Sequence, residues 1–509
     1  MSSVHLVVLI HGLWGSPTHL AVAKEELEKA WLAHKDHGSE TNKTQDVSGP
    51  DEDPTITTKL SSNSVEGQVG KERTKEDDEE EKDVEPELVI MIAGGMTSQL
   101  TYDGIDVCAS RVAYEVDQKI LELEHGGKKV HQFSLMGYSL GGLVARYLVG
   151  LLHSRQPSFF DIHHPVSFST ISSPHYGIPK YNTLLSTVLG FLGARVMSRS
   201  GEQMWVKDTY SDEDQRPLLE IMADPRGIFY QGLEQFDRLD IYASAVNDHS
   251  VPYPTAAIEP TDHFAQWGEK NLSIESNEDG IIQSWSSTNN ANGEAYEKPK
   301  TSKAKTKKRF GMKVGTLPPV LRYRFPFNYI ILALFPIMLP LIVVLILTRQ
   351  SLDTRRSKRR LQQLSQTSSG GSHSPVPSSG GLSIQALRDG IRRIERSLEN
   401  DLVETVEDSP SLFKVDHHHL QHGTANSLDD HEVGGDDDLQ VQLKDSQLRM
   451  CLWLNQLPLK KHLAFWPEIS NAHATAIVRD PIQFPAHERG RGLIKLWASN
   501  TLGYETKDT

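Results

Sequence analysis

The sequence predicts an α/β fold built on a mainly parallel sheet. Three observations carry this prediction: short apolar, β-branched runs recur along the chain, helical stretches lie between them, and each run stops at small or polar residues. Val4 to Ile10 is the first run and stops at His11-Gly12. Its unbroken apolar character is that of a strand buried on both faces. A helical stretch fits Thr18 to Trp31. Leu88 to Ala93 is the second strand, ending at Gly94-Gly95, and a helix fits Ser110 to Leu123. Val130 to Gly137 runs into Tyr138-Ser139, and a helix follows from Gly142 to about Leu152. Pro165 to Ile171 is the fourth strand. The apolar helical stretch Leu184 to Met197 comes after it, either as core or as a lid. Leu239 to Val246 is the fifth strand and ends at Asn247-Asp248. Near the end, a helical pattern over Gln447 to Leu457 precedes a strand over Leu463 to Ile469 and a helix over Arg491 to Leu502.

Not all of the chain reads as core. Of its 509 residues, 38 % are hydrophobic, below the ~45–50 % of ordinary globular chains. Residues 34–86 are polar and end in the acidic run Lys75 to Glu81, which reads as a disordered insertion. Residues 259–445 read as a second insertion. The folded α/β part is then made of 1–33 and 87–258 together with 446–509. The net charge of −14 excludes nucleic acid as the main partner, which calls for a basic surface. The two cysteines, Cys108 and Cys451, exclude a disulfide scaffold and fit a reducing compartment. The opening apolar run has no basic start and no small-residue cleavage site, so it reads as a strand and not a secretion signal.

The most specific signal is Gly137-Tyr138-Ser139-Leu140-Gly141, a G-x-S-x-G turn with a strand before it and a helix after it. That context puts a serine nucleophile at a sharp strand-to-helix turn whose flanks must be small. Acyl transfer passes through an oxyanion and needs fixed N–H donors. Leu140 follows the nucleophile and supplies one. His11-Gly12-Leu13-Trp14 supplies the other, from Leu13 or, as the second choice, Trp14.

A serine needs a base, and the base needs an orienting acid, in the chain order Ser, acid, His. Asp248 stands just past the fifth strand, with an Asx turn as its alternative role and Asp224 and Asp240 as rivals. Among later histidines, His249 is too close in sequence to Asp248, and His263 begins the irregular region. His417, His418, His419 and His422 lie in an acidic polar stretch, as solvated side chains or metal ligands. His473, in the loop after the last strand, is the base this order favours, ahead of His487.

On these residues the chain resembles the fungal serine esterase family of lipase-like α/β-hydrolases. The matching stretches are His5 to Gly15, Tyr102 to Asp106, Met136 to Tyr147, Ser173 to Pro179, Asn247 to Ile258 and Leu454 to Arg479. The resemblance implies an α/β-hydrolase fold with Ser139 as nucleophile, Asp248 as acid and His473 as base. It also implies a glycerophospholipid or other lipid-ester substrate and a lipid-droplet or endoplasmic-reticulum setting on the cytosolic face. This chemistry needs no cofactor and no metal. The alternatives are a triacylglycerol lipase, a transacylase, an acyl-protein thioesterase, or an idle hydrolase fold acting as a membrane adaptor.

The second insertion holds two membrane signals. Tyr329 to Leu347, within 326–348, is uncharged but contains Pro336 and Pro340 and has basic residues on both sides. With Ser139 and Asp248 before it and His473 after it, a single span would divide the three residues between two compartments. A hairpin or in-plane segment held in one leaflet is therefore expected. In 382–404, Ile384, Leu387, Ile391, Ile394, Leu398 and Leu402 recur at helical spacing beside Arg388, Arg392, Arg393 and Arg396. This pattern fits an amphipathic helix lying on anionic lipid or packed on the hydrolase domain.

Overall fold

The computed structural model describes residues 2–43, 86–181, 197–211, 214–265, 267, 272–287, 348, 351–360 and 441–504. Among the described residues, six strands form one parallel sheet in the order β2-β1-β3-β4-β5-β8. They are β1 (Ser2–Ile10), β2 (Glu87–Ile92), β3 (Lys128–Tyr138), β4 (His164–Ile171), β5 (Arg238–Ser244) and β8 (Leu459–Ala464). A separate antiparallel hairpin joins β6 (Leu272–Ser276) to β7 (Ile282–Ser287). This is the α/β-hydrolase architecture, with helices on both faces of the sheet.

The central strand shows why its sequence is apolar without alternation. Leu6 and Val8 of β1 face a core shared with α2 (Ile105–His125) and α3 (Leu140–His153). Val7 and Leu9 face the opposite core, shared with α1 (Ala21–Lys43) and the helix Arg491–Leu502. Each such side chain, fully buried, contributes ~1.5–3 kcal/mol. Because every strand of the sheet runs the same way, the carboxyl ends gather along one edge. The loops after β1, β3, β5 and β8 meet there, as expected for the ligand edge of a parallel sheet.

Three sequence-based boundaries shift. Helix α1 continues to Lys43, into the stretch assigned to the first insertion. The last sheet strand covers Leu459–Ala464 and not Leu463 to Ile469. Lys460, Lys461 and His462 hide its apolar period: the strand lies at the sheet edge, where Lys460 is exposed, Lys461 pairs with Glu259 and His462 with Asp240. The second insertion also starts later than residue 259. The β6–β7 hairpin packs Leu272, Ile274 and Ile282 against Ala243, Val246 and Phe264, and Phe465 N donates to Gly280 O at 2.8 Å. The turn Asn277-Glu278-Asp279-Gly280 carried a hairpin signal in its Asp-Gly pair.

Among the described residues no helix is long and apolar enough to cross a membrane. The segment 326–347, the stretch 382–404, most of Leu184 to Met197, and His417, His418, His419 and His422 lie outside the described residues. A further helix, residues 351–360, is described within the second insertion.

Candidate active site

The strand β3 ends at Tyr138 and α3 begins at Leu140, which leaves Ser139 alone on the turn with φ 55° and ψ −126°. This is a costly conformation for a side-chain residue, and surrounding contacts have to hold it. Ser139 N donates to Ile171 O at 3.0 Å, and Gly142 N donates to Ser139 O at 3.0 Å. The flanking glycines are forced by close approach. A Cβ on Gly141 would come within 2.2 Å of Ile10 O, and one on Gly137 within 2.4 Å of Gly142 Cα.

The loop after β1 lies directly on the serine. A Cβ on Gly12 would meet Ser139 Cβ at 2.7 Å and Oγ at 3.2 Å. Leu13 therefore starts beside Ser139, and Leu140, as the first residue of α3, has an N–H that the helix leaves without an internal acceptor. Trp14, at φ 54°, turns away. Its N–H donates to Thr101 Oγ1 at 3.2 Å and its Nε1 donates to the Tyr102 hydroxyl. His11 is fully buried, and its Nδ1 donates to Gly12 O at 3.0 Å. Burial holds its imidazole below the usual histidine range, although the Gly12 bond opposes the shift.

The other side of the site comes from two distant loops. Asp248, past β5, accepts Val251 N at 2.8 Å and Ser250 N at 3.1 Å on Oδ1. Its Oδ2 lies 2.9 Å from His473 Nδ1. His473 Nε2 lies 3.1 Å from Ser139 Oγ. The ionised carboxylate can only accept, so Nδ1–H donates and Nε2 is left to accept the serine proton. All three side chains are buried. Asp248 therefore makes the Asx-type turn weighed as its alternative and meets the imidazole with its second oxygen.

The rival residues lie elsewhere. Asp224 is bound by Arg216 and Arg226, and Asp240 by His462. His487 is buried and accepts Asp480 N on Nδ1 at 3.1 Å. His263 lies by Glu259, 3.8 Å away.

Sequence reading missed the residues that brace His473. Tyr138 OH donates to His473 O at 3.1 Å and accepts from Arg479 Nη2 at 2.8 Å, and its ring lies 5.0 Å from the imidazole. Asn247 O accepts Ala472 N at 3.1 Å, which ties the acid loop to the base loop. Asn471 caps the short helix Ala472–Thr475 that carries His473. A cleft of about 400 Å³ opens next to Leu13 and Trp14.

A family model described as "Putative serine esterase (DUF676)" matches residues 1–49 and 56–260, which include Ser139 and Asp248. "Putative lipase C4A8.10" of Schizosaccharomyces pombe is 30 % identical over 128 residues, covering 25 % of this chain and 16 % of that protein. "Putative lipase ROG1" of Saccharomyces cerevisiae is 28 % identical over 158 residues, covering 31 % and 22 %. The chain thus matches less than a quarter of the length of these curated relatives. A structure titled as the putative cell surface hydrolase of Lactobacillus plantarum covers 50 % of this chain and 75 % of its own, at 12 % identity. Its TM-score of 0.19 is too low to bear on the fold. The chain belongs to the putative serine esterase family DUF676.

Proposed function

We propose that the protein is a phospholipase. It releases fatty acid from glycerophospholipids at the cytosolic face of a lipid droplet or of the endoplasmic reticulum. The observation that carries this reading is one imidazole in contact with both other groups: His473 Nε2 is 3.1 Å from Ser139 Oγ while Nδ1 is 2.9 Å from Asp248 Oδ2. Ser139 Oγ attacks the acyl carbonyl and its proton passes to His473 Nε2. Asp248 orients the ring and stabilises the imidazolium. The N–H groups of Leu13 and Leu140 hold the oxyanion, aided by the positive end of α3. The imidazolium then protonates the departing alcohol, leaving an acyl-enzyme. Water attacks this ester, gives its proton to Nε2, and the fatty acid and free serine are released.

The cleft beside Leu13, whose lining includes none of Ser139, Asp248 and His473, is of mixed character. Its lining combines Val22, Ile482 and Phe484 with Arg479, Asp480 and Arg491. Surface attachment rests on the uncharged run Tyr329 to Leu347 and on the topological need to keep residues 139, 248 and 473 in one compartment.

The test is fatty-acid release from a panel of phospholipids, triacylglycerols and acyl-thioesters by wild type and Ser139→Ala. Release from phospholipids by wild type alone is expected. Turnover confined to triacylglycerols or thioesters would replace the phospholipase reading, and release by both proteins would remove Ser139 from the chemistry.

A further inference from the structure

Residues 351–360 form a helix that follows closely on the uncharged run Tyr329 to Leu347. Its side chains divide by face. Asp353, Thr354 and Ser357 are buried and Arg360 is half-buried, and positions 353, 357 and 360 are one helical face. That face is polar and is turned toward the hydrolase body. Arg360 Nη2 donates to Asp103 Oδ1 at 2.6 Å and to Gln99 O at 3.2 Å, and its Nε donates to Asp103 Oδ2 at 3.1 Å. The Ser357 and Ser198 hydroxyls are 3.3 Å apart.

Asp103 has no exposed surface and also accepts Arg111 Nη2 at 2.6 Å. Burial raises the proton affinity of its carboxyl, but the bonds from Arg360, Ser357 and Arg111 outweigh burial and hold it below the usual range. Breaking a buried pair of this kind from one side is strongly unfavourable. The helix is thus fastened by charge and hydrogen bonds, although an apolar run lies just before it in the sequence.

The opposite face carries Arg355, Arg356, Lys358 and Arg359, all exposed, with Leu352 also exposed beside them. Arg356 pairs with Asp353 of the same helix at 3.3 Å. Among the described residues no carboxylate lies within ion-pair distance of Arg355, Lys358 or Arg359. These cations are displayed on a chain whose net charge is −14. The turn Ser98–Asp103 that receives Arg360 also receives Trp14 through Thr101 and Tyr102. One short turn therefore separates the cationic helix from the loop beside Ser139.

We propose that helix 351–360 is a docked cationic platform for the phosphate groups of anionic phospholipids, held beside the active-site mouth by the Asp103–Arg360 pair. This inference rests on the lipid-surface reading above and names the lipid charge that the surface presents. A basic cluster next to an apolar segment gains electrostatic attraction at an anionic leaflet and loses it in high salt. The buried pair explains why the attraction also fixes the orientation of the hydrolase body.

The test is flotation of the full chain with phosphatidylcholine vesicles and with vesicles containing about 30 % phosphatidylserine. The variant is Arg355→Gln, Lys358→Gln, Arg359→Gln, which leaves the Asp353–Arg356 and Asp103–Arg360 pairs untouched. Each cation is worth about fivefold in partitioning to an anionic surface, so the variant is expected to lose on the order of a hundredfold on the phosphatidylserine vesicles. Binding to phosphatidylcholine alone, and hydrolysis of a soluble p-nitrophenyl butyrate, are expected to stay unchanged. An equal preference for phosphatidylserine in wild type and variant overturns the platform. So does equal binding of wild type to both compositions, which leaves the lipid-surface reading standing. Failure of wild type to bind either vesicle removes both.

Discussion

Two regions inside the sheet hold pieces of the constellation found at its edge. His5 Nε2 lies 2.8 Å from Ser134 Oγ, closer than His473 Nε2 lies to Ser139 Oγ. His462 Nε2 lies 2.8 Å from Asp240 Oδ1, matching the 2.9 Å of His473 and Asp248. The first pair has a serine and no carboxylate, and Ser134 Oγ is also occupied by Ser167 N at 3.2 Å. The second has a carboxylate and no serine, with the imidazole stacked on Tyr242 at 4.7 Å. Both lie within strands. The complete set lies beyond strand ends, where Gly12, Leu13 and Leu140 bring backbone to the serine. A histidine bonded to a serine or to a carboxylate is thus ordinary packing. Placing both bonds on one ring at the carboxyl edge of the sheet makes the arrangement chemically capable.

The largest effect is expected at the complete set. Ser139→Ala is expected to lower kcat on a turned-over ester by on the order of 10⁶-fold with thermal stability kept, since a serine and its base act as a unit. Asp248→Asn is expected to cost about 10⁴-fold, because an amide can hold the ring in the wrong tautomer. Measuring both on one ester sharpens the comparison, and an Asp248→Asn enzyme with wild-type kcat would break it. Gly12→Ala tests the backbone contribution. Its Cβ would sit 2.7 Å from Ser139 Cβ, so the loop has to move off the nucleophile. A loss of about 10²–10³-fold in kcat, the size of one oxyanion donor, is expected.

How far the sequence revealed these differences depends on what each residue needs around it. Ser139 was legible because the strained turn demands glycines at 137 and 141, a constraint written in consecutive residues. Asp248 and His473 were reached by chain order and strand ends, although 225 residues separate them. The brace of Tyr138, Arg479 and Asn247 was not legible. Its bonds join segments with no sequence relation, and Tyr138 holds the variable position before the serine. Helix 351–360 escaped for a different reason. Its buried face is Asp353, Thr354, Ser357 and Arg360, so a search for apolar periodicity sees only a charged stretch.

A smaller effect is expected at the incomplete pair of His5 and Ser134. Burial first, and the charge of Arg238 second, lower the His5 imidazole to about 4. The unfolded chain takes up that proton near pH 6.5, so between pH 6.5 and 4 the unfolded state binds more protons than the folded one. The stabilisation is complete above pH 6.5 and is lost as pH falls toward 4, by up to about 3 kcal/mol. His5→Gln is expected to lessen the slope of the urea midpoint against pH across that window, to which His11, His19 and His175, also lowered by burial, contribute as well, while leaving ester turnover above pH 7 unchanged. A fall in turnover at constant stability would show that His5–Ser134 takes part in the chemistry.

The smallest effect is expected at the incomplete pair that has the acid. Asp240 meets His462 diagonally across β5 and β8, whose register pairs Asp240 with Lys460 and Tyr242 with His462, and the ring is covered by Tyr242, with Asn500 Nδ2 bonded to Tyr242 OH at 2.8 Å. Asp240→Asn keeps an oxygen for His462 Nε2–H and removes only the charge. The cost is then one buried bond, about 0.5–1.5 kcal/mol in urea unfolding, with kcat/KM within about twofold of wild type. A loss near that of Asp248→Asn would mean that the working acid stands at Asp240 and that the His473–Asp248 bond is packing. That outcome conflicts with the geometry, because His462 lies stacked on Tyr242 whereas His473 Nε2 reaches the Ser139 hydroxyl.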